Sequence, residues 1–188
     1  VAGKKASWLA QVALYTLAGA ASSLFVGGTL GAAGALLVPG LARTVGVPAV
    51  LGLALVATTR ELGWVRFPLP QPRRQTKDIW GKIFSPPVAA TLWGLDLGLL
   101  VTTRLTFSGT WLLILLPLLM QDAMLGALLL LAYWLGRALV IWIAPLLFED
   151  ASSTPRVLEE INDHYRLFQL VHVVGLGLVI AFLASSLA

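Results

Sequence analysis

Five polar residues, Asp96, Arg104, Gln121, Asp122 and Arg137, interrupt an otherwise almost continuous apolar run from Pro86 to Ala144. In a hydrocarbon setting such groups are costly and need partners, so they are the first candidates for function. Asp96 lies within Trp93-Gly94-Leu95-Asp96-Leu97-Gly98 and must be protonated, paired or in contact with water. Arg137 sits well inside the next long apolar stretch and cannot readily lose its proton, so it needs a carboxylate, carbonyls or a polar cavity. The arrangement expected is Asp96 facing Arg137 across a helix bundle. That pair would either fix helix register or bind an anionic group along a transport path.

Three residues are secondary candidates. Arg104 is two turns beyond Asp96, within reach of the outer interface. Asp122 reads as a turn residue, and His172 as a hydrogen-bonding partner for a neighbouring helix. His164 and His172 are eight apart on one segment, which suits neither a haem nor a metal site. No phosphate loop, serine-lysine pair, nucleophile elbow or zinc ligand set is present. The chain has no cysteine, which removes disulfides, thiolate metal sites and dithiol chemistry. The expectation is therefore no catalytic centre, no metal and no cofactor.

The elements that position these residues follow from composition. Of the 188 residues 58% are hydrophobic and 12% charged, with a mean hydropathy of +0.87. Ordinary globular domains carry about 25% charge, so lipid must cover much of this surface. The reading is an all-α polytopic transmembrane bundle forming one domain over residues 1–188, with about six spans and both termini cytoplasmic. Lys4 and Lys5 before the first apolar run resemble the start of a signal peptide, but the run is too long and a retained helix is expected. The formal charge of +4 is spread among apolar segments and speaks for membrane orientation rather than for nucleic acid.

Six segments are expected, at about 8–38, 45–59, 86–104, 110–120, 123–144 and 167–187. In the first, Gly27, Gly28, Gly31 and Gly34 form a small-residue face suited to close helix packing. The fourth is short and contains Pro117, so five spans with one re-entrant element are the rival layout. A basic loop over 60–85 holds Arg60, Arg66, Arg73, Arg74, Lys77 and Lys82 against Glu61 and Asp78, a net charge of +4. The positive-inside rule sets it in the cytoplasm, where it could also hold an anionic lipid headgroup. An outer segment over 146–166 carries a net −3 between Phe148 and Arg166, and Leu158, Ile161, Tyr165 and Phe168 recur there at helical spacing. Most of the seven tryptophans, Trp80, Trp93, Trp111 and Trp142 among them, read as interface anchors.

A Gly/Ala-rich first helix, a basic loop after the second and proline-broken later helices resemble the small six-span membrane proteins of the cytochrome c biogenesis and thiol-electron-transfer type. The resemblance is one of layout over most of the chain. It implies shuttling of reducing equivalents by a cysteine in each of two helices, and this chain has no such residue, so neither site residues nor redox activity carry over. The function expected is an accessory or scaffolding subunit of the bacterial cytoplasmic (inner) membrane. Its partners would be membrane lipids and other integral membrane subunits. A small-solute or ion transporter built on Asp96 and Arg137 is the alternative.

Overall fold

The computed structural model describes residues 2–37, 39–40, 45–69, 79–100, 107–147 and 165–185. The regular elements within them are all helices: α1 (Ala2–Leu37), α2 (Val47–Glu61), α3 (Trp80–Ile83), α4 (Pro86–Gly98), α5 (Ser108–Met120), α6 (Ala123–Leu147) and α7 (Tyr165–Ser185). Two helices are long and apolar enough to cross a membrane, over Ala6–Leu37 and Ala123–Ile143. The apolar stretches Ser108–Met120 and Gln169–Ala181 are shorter. The structure is thus an all-α bundle in which, among the described residues, two helices rather than six are both long and apolar enough to span a membrane.

The spine is α1, whose 36 residues extend over about 54 Å at the helical rise. Along it α6 runs antiparallel. Gly27 meets Gly126 and Gly31 meets Asp122 and Ala123, with backbone so close that a Cβ on either glycine would overlap the facing chain. Further along, the ring of Trp134 fills the space left by Gly19. The small residues of α1 are therefore consumed inside the protein, against α6 and, at Gly34, against the backbone of Leu118 in α5. Gly28 lies off this seam, its nearest contact being the Ala123 carbonyl at 3.9 Å from an added Cβ.

A second side of α1 is shared by two short helices. α4 runs parallel to it, with Gly94 against Tyr15 and Gly98 against Gly19 and Ser22, while α5 reaches Gly34 near its far end. Ser23 donates to the Gly98 carbonyl at 3.2 Å and ties α4 to α1. Leu100, just beyond α4, has a φ of 61°, a left-handed conformation that a leucine adopts only when its surroundings impose it. Two pieces of chain thus divide the length that α6 covers as one helix.

The turn from α5 to α6 is tight. Gln121 takes the left-handed C-cap conformation, and Asp122 Oδ1 accepts from the Leu125 N–H at 2.9 Å, capping α6. α6 continues past Pro145 to Leu147, whereas the sequence suggested an end at the proline. A proline so near a helix terminus removes one backbone bond.

A second cluster joins α2, α5 and α7 around Val50, Ala54, Ala57, Leu112 and Leu176. Ser108, at the start of α5, meets Glu61 at the end of α2. Gln169, near the start of α7, donates to the Glu61 carbonyl, and Leu176 further along joins Val50 and Ala54. Both α5 and α7 therefore run antiparallel to α2. The end of α2 and the start of α7 lie together, so the beginning of the basic segment stands beside the end of the acidic one. Charge alone assigned these to opposite faces.

Candidate functional site: a buried carboxylate at a helix junction

The best-built polar site is one that the sequence did not single out. Glu61 closes α2, and its side chain is 3% exposed. Its Oε1 accepts from the Ser108 N–H at 2.8 Å, from the Ser108 hydroxyl at 2.6 Å and from Arg60 Nη1 at 2.9 Å. The Ser108 N–H is one of the unpaired donors that begin α5, and no side chain of α5 itself caps that end. A carboxylate from another helix thus fills the place of an N-cap, where the partial positive charge of the helix terminus also favours it.

One residue on, the Gly109 N–H donates to His172 Nε2 at 3.1 Å, so that nitrogen is the acceptor and the imidazole is neutral with its proton on Nδ1. Phe107 stacks on the ring with centroids 4.9 Å apart. An added Cβ on Gly109 would collide with the imidazole, so glycine is required for this approach. Two of the orphan donors of α5 are therefore satisfied by α2 and α7, and three helices meet at one hydrogen-bonded knot. Such a knot fixes relative position because its hydrogen bonds join three separate helices.

Arg60 is held on both sides. It forms an ion pair with Glu61, while its Nε donates to the Phe67 carbonyl at 3.2 Å and its guanidinium lies 5.6 Å from the Phe67 ring centre. The chain after α2 is thereby folded back over the junction.

The residues expected to matter from the sequence are placed elsewhere. Asp96 on α4 and Arg137 on α6 are both half-buried, on helices whose extensive packing is against α1. Each engages in interactions of its own. The Arg137 guanidinium lies 5.8 Å from the Tyr133 ring centre. Asp122 is exposed in the α5–α6 turn. Arg104, Arg73, Arg74 and Lys77 lie outside the described residues, as does most of segment 146–166; Arg66 and Lys82 are exposed. His172 is the one expected residue that reaches the junction.

The tryptophans are more varied than interface anchors. Trp134 is fully buried and donates to the Thr16 carbonyl at 2.9 Å, and Trp142 donates to Thr16 Oγ1 at 3.0 Å. Among the described residues no group of three or more His, Asp or Glu side chains is arranged to hold a metal ion.

No protein-family model, no curated protein and no solved structure matches this chain. The functional reading accordingly rests on its own residues.

Proposed function

We propose that the chain is an accessory integral membrane subunit whose role is to hold a fixed helical surface against a larger membrane protein. The observation that carries this reading is the closure of the Glu61 knot. Its Oε1 is taken up by Ser108 and Arg60 and its carbonyl by Gln169, so the site ties three helices together. The face offered to a partner is not the glycine seam, which α1 uses internally. It is the outward side of α6, where Leu128, Leu135 and Leu139 are about half exposed opposite the buried Leu130, Trp134 and Ala138.

For the topology we infer five passages in the bacterial cytoplasmic membrane, with α4 and α5 as the two halves of one. Two features support this: α4 and α5 share the length of α1, and the end of α2 adjoins the start of α7. With five passages, the connections from α2 to α4 and from α6 to α7 both turn on the cytoplasmic side, residue 185 ends outside, and the Glu61 knot lies at the break between α4 and α5. The acidic character of 146–166 does not oppose this, because orientation follows Lys and Arg, with Asp and Glu contributing little.

Transport of a small solute is the second reading, favoured by the division of one passage into two helices with a carboxylate at the N-terminus of the second, an arrangement that transporters use for ion and substrate sites. Native mass spectrometry after gentle nanodisc purification separates the two. A stoichiometric membrane partner is expected. A lone monomer or small homo-oligomer that mediates solute flux into proteoliposomes would overturn the subunit reading.

A further inference from the structure

Glu61 lies deep in the passage. It bonds to Ser108 at the start of α5, and α4, the other half of that passage, ends at Gly98 against Gly19 and Ser22, near the midpoint of α1. On the cytoplasmic side of this level three helices turn apolar side chains outward: Leu14 and Leu17 on α1, Val88 and Leu95 on α4, Leu139 and Val140 on α6. Under the five-passage reading that half of the molecule is surrounded by hydrocarbon.

Beside the knot, at the same depth, the surface changes character. Residues 62–69 are non-helical, with a left-handed turn at Gly63 (φ 79°), and residues 62–68 are exposed. The stretch stays at this level, because Arg60 holds the Phe67 carbonyl and Phe67 and Leu69 share a hollow with Trp111 and Leu115, further along α5 toward its outer end. Among the described residues nothing accepts from the backbone N–H of Arg66 or Phe67. A cavity of about 380 Å³ lies between this stretch, Arg60, Glu61 and Gln169. Lipid does not wet such a wall. Non-helical backbone at membrane depth is tolerated only inside protein or against water, and ionised side chains there need the same, whatever the sign of the charges around them. Residues 62–68 are exposed, so water is what remains.

We propose that this cavity is a water-filled vestibule that enters from the cytoplasmic side and ends at the Glu61 knot, bringing water and small hydrophilic ions to the middle of the bilayer. Its inner end is closed, because beyond the knot Val50, Ala54, Ala57, Leu112 and Leu176 are buried against one another. Water thus solvates Arg66 and the open backbone without a continuous path across the membrane. A vestibule of this kind is compatible with a subunit that conducts nothing.

The inference rests on the five-passage reading, and the test separates the two. The chain has no cysteine, so single cysteines on the full-length protein report without background. Val65→Cys and Arg66→Cys line the vestibule, whereas Leu17→Cys and Leu139→Cys face lipid. All four side chains are exposed; thermal unfolding checks that each variant is folded, and the second of each pair serves should the first not be. A small membrane-impermeant methanethiosulfonate is added to inside-out and to right-side-out vesicles. A thiol reacts as its thiolate, which forms in water and not in hydrocarbon, so the vestibule pair should react at least about tenfold faster than the lipid-facing pair in inside-out vesicles. In right-side-out vesicles the vestibule pair should be protected. Reaction no faster than that of the lipid-facing pair, in either vesicle, overturns the vestibule and leaves the topology standing. Similar rapid reaction of all four from the inside places the knot at the membrane surface and overturns both the vestibule and the split passage. Reaction of the vestibule pair from both sides contradicts the closed inner end, and reaction from the outside alone overturns the five-passage orientation together with the inference.

Discussion

Replacing Glu61 by alanine tests the junction directly. The substitution removes one acceptor that serves three donors. The Ser108 N–H, buried at the start of α5, is then left unpaired at a cost of about 1–3 kcal/mol. The Ser108 hydroxyl loses less, because the Ala57 carbonyl lies 3.2 Å away and can take its proton. Arg60 contributes little to the loss, since its side chain is 22% exposed and water and the Phe67 carbonyl remain to it. Together with the lost packing, Glu61→Ala should destabilise by about 2–4 kcal/mol.

Ser108→Ala keeps the backbone N–H bonded and should cost only about 1 kcal/mol. The double variant should then cost less than the sum of the two, with a coupling energy of about 1 kcal/mol, as expected for groups in one network. Unfolding in detergent, followed by tryptophan fluorescence, measures all three. A loss below about 0.5 kcal/mol for Glu61→Ala, the ordinary range for a surface substitution, together with zero coupling, would refute the knot as a structural lock.

Four further outcomes follow from the same geometry. Gly27→Ala should destabilise by about 1–3 kcal/mol, because its Cβ meets the Gly126 backbone, while Gly28→Ala, one residue away, should be neutral or slightly stabilising; paired thermal melts decide this. Trp134→Ala should cost about 3–5 kcal/mol through the void beside Gly19 and the bond lost at Thr16, measured by chemical denaturation. Asp122→Ala should lose about 1 kcal/mol of helix-cap energy, and Asp122→Asn should restore most of it, in the same assay. Alkaline phosphatase fused after residue 185 should be active and green fluorescent protein dark, as five passages require; the reverse would restore an even number.

Much of the architecture was legible in local sequence. Low charge and long apolar runs dictate helices that lipid can cover. Pro39-Gly40, Pro86-Pro87 and Gln121-Asp122 fall where helices stop or start, because proline and left-handed residues act on their own backbone. Glycines at spacings of three and four signal a close helix contact, and α1 makes one. That pattern says nothing about whether the contact belongs to the same chain or to another; the fold gives it to α6.

What the tertiary structure alone decided is Glu61. Beside Arg60 and ahead of a proline-rich basic stretch it reads as a solvated loop residue, and its burial depends on Ser108, 47 positions later, and on Gln169, 108 positions later. No local propensity encodes such a meeting. The polar residues inside apolar runs, Asp96 and Arg137, drew attention because an isolated segment leaves them without partners. In the folded chain both are half-buried on helices that pack along α1, and each has interactions of its own; spacing along a helix fixes the face a residue occupies but not which helix lies opposite.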